Sequence, residues 1–410
     1  MDLKITPGKL KGSLTVPPSK SAAHRMVIAA SLSDGVSTIT NLSSSADILA
    51  TMNSMRSLGA QIVFNGDTAV IEGIKSVPDN AVLDCCESGS TLRFLIPVAC
   101  ALGVSSEFTG RGLLPQRPIT PLIEELPNHG ISFDFSKAEN NCTLPCSVKG
   151  KLTPGEYSIS GSVSSQFITG LLFALPLLDS DSSIKLTSHL ESRPYVDITI
   201  GVLRDFGCEI SCTENGFSVK GNQRMHPFSG AVEGDYSQAA FFFAANVLGS
   251  DVEIKGLRTD SLQGDKQITE ICKNALSGGK AFRLDCSDIP DLVPILTVLA
   301  CFLEGKSEIY NVARLRIKEC DRLAAMEDCL NRIGGKVKAY SDKIEIQGVN
   351  KLSGGEIQCY NDHRIAMSMA IAATRCEKPL IIRGAECVRK SFPNFFEVYE
   401  SLGGITEKIG

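Results

Sequence analysis

The 410 residues predict an α/β fold of two domains, with helices inside and sheets outside. Three observations predict it. One pattern recurs six times: an apolar helix-like run, a small turn residue, then an alternating strand. The glycines that end those helices, Gly59, Gly130, Gly207, Gly278, Gly334 and Gly403, stand 71, 77, 71, 56 and 69 residues apart. Such spacings are too long for solenoid repeats and suit small α/β subdomains. A second helix precedes each of these, with a body so apolar that it must be buried.

In chain order, "LTVPPSKSAAHR" reads as a strand entering two prolines, a polar step and a helix. The six inner helices begin "SKSAAHRMVIAA", "SGSTLRFLIPVA", "SSQFITGLLFAL", "DYSQAAFFFAAN", "IPDLVPILTVLA" and "NDHRIAMSMAIA". Each is followed by a short strand: "STITNL", "SEFTG", "IKLTS", "VEIKG", "SEIYNV" and "PLIIRG". The second helices and their strands are clearest in "DILATMNSMRSLGAQIVF", "YVDITIGVLRDFGCEISC" and "RLAAMEDCLNRIGGKVKAY". Weaker copies are "ITPLIEELPNHGISFDF", "KQITEICKNALSGGKAFRL" and "FPNFFEVYESLGGITEKIG". Glycine suits the helix-ending turn because it reaches φ > 0 without a Cβ clash.

The unit is thus strand–helix–strand–helix–strand–strand. Units one to three fill Ser19–Met225 and predict a domain over 15–228. Units four to six, completed by the amino-terminal strands, predict a discontinuous domain of 1–14 plus 229–410. The chain would cross between domains near 15–18 and 225–232, and two crossings favour a hinge. The 56-residue spacing predicts a trimmed strand or loop in the fourth unit.

Composition excludes several classes. Hydrophobic residues are 43% and charged residues 21%, an ordinary globular balance. A net charge of −5 argues against nucleic-acid binding, so any basic site is local. "MDLKITPGKL" lacks an apolar core and a cleavage pattern, and no apolar run is long enough to span a membrane. Fifteen cysteines without a C-x-x-C pair, and only five histidines, argue against zinc and for reduced, buried thiols in the cytoplasm.

Lys20 and Arg25 frame the start of a helix whose amino end is already positive. The placement makes sense if an anion arrives as ligand. In parallel repeats equivalent helix ends share a face, so all six polar starts should face a cleft between the domains. Arg93, Arg117, Arg193, Arg364 and Lys390 occur at related phases. The segment "RLRIKECDR" (Arg314–Arg322) adds more. If extended, it presents Arg314, Arg316 and Lys318 on one side; Lys318 and Arg322 sit i, i+4 if the helix begins by Lys318. Ser164 in "SSQ" suits a ligand or a helix cap equally. Asp291 and Glu319 interrupt these cations and could move protons on and off a hydroxyl or a carbon.

The motifs "SKSAAHR", "SSQFITGLL", "SRPYVDIT", "IPD", "RIKECDR", "YNDHRIAM" and "RKSFPNFF" resemble those of the 5-enolpyruvylshikimate-3-phosphate synthases, in order and over nearly the whole chain. The resemblance implies two inverted (inside-out) α/β barrel domains of three βαβαββ units each. It implies transfer of the enolpyruvyl group of phosphoenolpyruvate to the 5-hydroxyl of shikimate 3-phosphate, through a tetrahedral adduct. Phosphate is released, on the pathway to chorismate and the aromatic amino acids. It further implies no cofactor or metal, no nucleic-acid or membrane partner, and a cytoplasmic monomer.

Carried over by motif, Lys20, Arg117, Arg322, Arg364 and Lys390 would hold phosphoenolpyruvate, with Gly89 and Gln166 nearby. Lys20, Ser21, Arg25, Ser164, Ser165, Gln166, Ser192, Tyr195, Asp291 and Lys318 would hold shikimate 3-phosphate. Asp291 and Glu319 would carry protons, assisted by Lys20 and His363. Bound anions would turn repulsion between the domains into attraction and close the hinge. Glu87 stands where many members have Asn, and Arg314 where many have a polar or acidic residue. Members with Gly at the position of Gly89 tend to be sensitive to glyphosate, a mimic of bound phosphoenolpyruvate. The UDP-N-acetylglucosamine enolpyruvyl transferases share fold and chemistry, but carry a cysteine on the loop matching "GRGLLPQRP", which has none. A non-catalytic anion-binding protein is the other alternative, and the presence of both Asp291 and Glu319 speaks against it.

Overall fold

The structure, a computed structural model, describes residues 1–139 and 142–409. The chain divides into two units, Pro18–Glu233 and Met1–Pro17 with Gly234–Gly410. Strands β1 (Asp2–Thr6) and β2 (Lys11–Thr15) open the chain and belong to the discontinuous unit.

In the contiguous unit the first repeat comprises α1 (Lys20–Leu32), β3 (Val36–Thr40), α2 (Ala46–Ser57), β4 (Gln61–Asn65) and β5 (Thr68–Glu72). The second comprises β6 (Asn80–Asp84), α3 (Gly89–Leu102), β7 (Ser105–Thr109), α4 (Thr120–Glu125), β8 (Ser132–Asp134) and β9 (Cys146–Lys149). The third comprises β10 (Glu156–Ile159), α5 (Ser165–Ala174), β11 (Ser182–Leu186), α6 (Arg193–Asp205), β12 (Ile210–Thr213) and β13 (Gly216–Val219). A short β14 (Gly230–Ala231) returns to pair with β3.

Each repeat makes its own sheet, ordered β14-β3-β5-β4, β6-β7-β9-β8 and β10-β11-β13-β12. The first two strands of each sheet are parallel; in the second and third sheets an inner helix bridges them, as parallel pairing requires a crossover, whereas β14 reaches β3 from the end of the unit. The last two form an antiparallel hairpin. β6 alternates exposed and buried along its length, so one sheet face meets water and the other the helices. The inner helices α1, α3 and α5 are buried almost all round. α3 and α5 cross closely because Gly170 has no side chain: a Cβ there would lie 2.5 Å from the Arg93 carbonyl and 3.1 Å from Pro97.

The discontinuous unit continues with α7 (Tyr236–Val247), β15 (Asp251–Lys255) and α8 (Ile268–Gly278). Next come β16 (Arg283–Asp285), α9 (Val293–Ala300), β17 (Lys306–Tyr310), α10 (Arg322–Arg332), β18 (Lys336–Ala339) and β19 (Lys343–Gln347). The sixth repeat has β20 (Gly355–Gln358), α11 (His363–Ala373), β21 (Leu380–Arg383), α12 (Phe395–Ser401) and β22 (Ile405–Ile409). Its sheet is ordered β20-β21-β1-β22, with β1 antiparallel to both neighbours. Helices α7, α9 and α11 fill this unit's core. Both units therefore show the inside-out arrangement.

The fourth repeat is the short one. "AFRL", read as its closing strand, instead contributes to β16, which pairs parallel with β17 and opens the fifth sheet. The fourth sheet keeps only β15 and β2. Gly279, not Gly278, takes the left-handed turn after α8, with φ +58°. The other five helix-ending glycines have φ between +83° and +110°, where a Cβ is unfavourable.

Candidate active site

In the contiguous unit the candidate residues gather at helix amino termini. The Ser19 hydroxyl accepts from the Ala22 amide and fixes the start of α1 at Lys20. Lys20 Nζ lies 3.0 Å from Asp47 Oδ2, in the first turn of α2. One turn further, Arg25 is committed inside the protein. Its Nε donates to Thr199 Oγ1 at 2.7 Å, and its Nη atoms donate to the Ser21 carbonyl at 2.6 Å and the Tyr195 carbonyl at 2.9 Å. Burial pulls its pKa down to about 9. Arg25 thus ties the start of α1, with Ser21, to that of α6, with Tyr195. Ser192 precedes α6 in a left-handed conformation, φ +56°.

Ser164 caps α5 by accepting from the Gln166 amide, so capping is realised for this residue. Ser165 and Gln166 follow in the first turn. The Gln166 side chain accepts from Arg93 Nη1 at 2.7 Å and donates to Ser90 Oγ at 2.9 Å, linking the starts of α3 and α5. Gly89 opens α3. A Cβ on Gly89 would lie 2.8–2.9 Å from the guanidinium of Arg117, which rests across that helix end. Arg117 is buried, and its Nε has no hydrogen-bond partner among the described residues. A helix amino terminus with a cation laid over it favours an anion.

In the discontinuous unit Arg322 is the hub. It is 2% exposed and donates to three carboxylates: Asp362 at 2.7 Å, Glu319 at 2.9 Å and Asp291 at 3.0 Å. Asp291 is shared, because Arg364 Nη2 donates to its other oxygen at 2.8 Å. Burial opposes ionisation of Asp291, but Arg364, Lys318 and Arg322 outweigh it and hold the carboxyl well below its usual range. Asp362 caps α11 by accepting from the Arg364 amide at 2.8 Å, so one carboxylate places both arginines. His363, also buried, is the first residue of α11. Lys390 Nζ donates to the Asn361 carbonyl at 2.8 Å, beside the same helix start.

Lys318 ends a 3-10 turn, Ala313–Ile317. Burial lowers its pKa to about 8, against the opposing pull of Asp291. The segment is not extended, so the arrangement that an extended chain would give Arg314, Arg316 and Lys318 does not arise. Arg316 turns to Asp321 at 2.5 Å, and Arg314 donates to the Ser287 carbonyl. Nor do Lys318 and Arg322 share a helix. Asp321 accepts from the Ala324 amide and starts α10 at Arg322.

Asp47 and Asp362 were missed in the sequence. Both lie at helix starts, where an acidic residue reads as a cap or dipole partner. Asp265 was also missed; it takes a hydrogen bond from the Ser237 hydroxyl, and burial with the charge of Asp291 pushes it up to about 7. Among the described residues no group of three or more His, Cys, Asp or Glu is placed to hold a metal ion. Among the described residues no helix is long and apolar enough to cross a membrane.

The EPSP synthase (3-phosphoshikimate 1-carboxyvinyltransferase) family model matches residues 5–399. A 3-phosphoshikimate 1-carboxyvinyltransferase of Clostridium beijerinckii is 44% identical over 432 residues, covering 99% of this chain and 98% of that protein. One of Clostridium botulinum is 45% identical over 424 residues, covering 98% and 97%. Among solved structures, EPSP synthase from Acinetobacter baumannii aligns with a TM-score of 0.82 at 26% identity, over 99% of this chain and 100% of that one.

Proposed function

The chain belongs to the EPSP synthase family, and from that premise we propose which of its residues carry the reaction. The reaction transfers the enolpyruvyl group of phosphoenolpyruvate to the 5-hydroxyl of shikimate 3-phosphate and releases phosphate, in the shikimate pathway. In the proposed assignment Lys20, Arg117, Arg322, Arg364 and Lys390 hold the carboxylate and phosphate of phosphoenolpyruvate, beside Gly89 and Gln166. Ser21, Ser164, Ser165, Gln166, Ser192, Tyr195 and Lys318, with Lys20, hold shikimate 3-phosphate. Arg25 supports that set from behind, through the Ser21 and Tyr195 carbonyls.

The observation that carries the assignment is Asp291 bridged by Arg322 and Arg364. The bridge keeps Asp291 ionised and so open to a proton, and substrate anions that engage Arg322 and Arg364 would raise its basicity toward the working pH. In this reading Asp291 accepts the 5-hydroxyl proton as the oxygen attacks C2 of phosphoenolpyruvate. Glu319, with Lys20 and His363 assisting, delivers a proton to the methylene carbon, and a tetrahedral adduct results. Elimination removes that carbon proton and expels phosphate, whose charge the arginines stabilise. One such preorganised contact is worth on the order of 3 kcal/mol of barrier. The enzyme is read as a monomer working in the cytoplasm, where its fifteen thiols stay reduced.

The test is phosphate release with both substrates present. The wild type releases phosphate only when both are supplied. Asp291→Asn keeps the fold and loses roughly 10²–10⁴ in kcat. An Asp291→Asn enzyme with unchanged kcat would remove Asp291 from the chemistry.

A further inference from the structure

A chain of buried hydrogen bonds runs beneath the candidate site in the contiguous unit. His24 Nδ1 lies 2.7 Å from Thr51 Oγ1, Thr51 Oγ1 lies 2.7 Å from Thr91 Oγ1, and Thr91 Oγ1 donates to Ser88 Oγ at 2.8 Å. The four residues come from α1, α2, α3 and the cap of α3, and none is more than 1% exposed. A hydroxyl has one proton, so the chain has one direction. Thr91 gives its proton to Ser88, so it accepts from Thr51, and Thr51 accepts from an Nδ1–H of His24. The Asp47 carbonyl, at 3.4 Å from Thr51 Oγ1, is the weaker competitor. Burial, with Lys20 and Arg25 near, keeps His24 neutral. Its Nε2 then carries no proton, which suits its lack of a hydrogen-bond partner among the described residues.

The ends of the chain sit under residues assigned to phosphoenolpyruvate. Thr51 lies one turn beyond Asp47, which holds Lys20. Ser88 caps α3 and precedes Gly89, over which Arg117 rests. We propose that Thr51 is a positioning residue, the hub that sets the amino terminus of α3, with Gly89, relative to Lys20. A layer of apolar side chains could fill the same space, but directed hydrogen bonds from helix to helix favour one register over others. The inference rests on the assignment of Lys20, Gly89 and Arg117 to phosphoenolpyruvate.

The test is Thr51→Val, which keeps the shape and removes the hydroxyl, beside Thr51→Ser, which keeps the hydroxyl. Phosphate release is followed against each substrate. Thr51→Val is expected to raise the KM for phosphoenolpyruvate about tenfold, the equivalent of about 1.4 kcal/mol of binding. The KM for shikimate 3-phosphate should stay within about twofold, and Thr51→Ser should restore the first KM to within about twofold of wild type. A Thr51→Val enzyme with an unchanged KM for phosphoenolpyruvate, or with both KM values raised alike, overturns the inference. So does a failed rescue by Thr51→Ser. Should Thr51→Val not fold, Thr91→Val cuts the next link and must give the same split. Lys20→Met separates the two levels. If it raises the KM for phosphoenolpyruvate and Thr51→Val does not, only the positioning role falls; if it raises neither KM, the site assignment falls and the inference with it.

Discussion

Replacing Gly89 with alanine should weaken phosphoenolpyruvate binding without harming the fold. Gly89 is helical, so alanine meets no backbone strain there. The new methyl would instead lie 2.8 Å from Arg117 Nη2 and 2.9 Å from Cζ and Nη1. Ordinary carbon contacts are roughly 3.5–4.0 Å, so the guanidinium must retreat by about 0.6–1.2 Å. A shift of that size takes a 2.8 Å charge-assisted hydrogen bond out of range. Such a bond is worth about 1.5–3 kcal/mol. At about 1.4 kcal/mol per factor of ten, the KM for phosphoenolpyruvate should rise roughly 10- to 150-fold. Glyphosate inhibition should weaken in parallel, while the KM for shikimate 3-phosphate and the thermal midpoint hold. Phosphate-release kinetics with and without glyphosate measure all but the midpoint. A folded Gly89→Ala enzyme with unaltered phosphoenolpyruvate and glyphosate constants would refute the placement of Arg117.

Two further outcomes follow from the ion pairs. Asp362→Asn leaves the buried Arg322 without its closest carboxylate, and should cost about 3–5 kcal/mol in urea unfolding; a loss under about 1 kcal/mol would show the pair is not structural. The pairs of Asp291 and Asp362 depress both carboxyls, so their stabilisation is complete above the ordinary value of 3.8 and is lost as pH falls below it. On the alkaline side Lys318 must be charged to hold an anion, so kcat/KM for shikimate 3-phosphate should fall as pH rises through about 8. Lys318→Arg should abolish that limb, and a limb unmoved by this change belongs to another group.

The repeats were legible because each rests on a local rule. The inner helices are apolar around their whole circumference, and glycines take φ > 0 at five of the six predicted turns. The fourth repeat is trimmed as expected, but its closing strand was misread because a three-residue strand such as β16 has no intrinsic partner. Whether Arg283–Asp285 closes one sheet or opens the next depends on which neighbour is free. The start of α10 was left open for a similar reason: "KECDR" offers two acidic caps, and Asp321 wins by reaching the Ala324 amide. Arg25 was counted with the ligand-facing cations, yet its partners Thr199 and Tyr195 lie 174 and 170 residues away. No spacing rule reports such contacts. The same holds for Arg322, whose carboxylates stand 3, 31 and 40 positions off.

The place of β1 between β21 and β22 has a consequence for biosynthesis on the ribosome. Residues 2–6 are translated long before both their neighbours, at 380–383 and 405–409. Vectorial folding can finish Pro18–Glu233 while translation proceeds. β1 must stay unpaired until β21 and β22 have been made, a long interval in which it is open to chaperones and to mispairing.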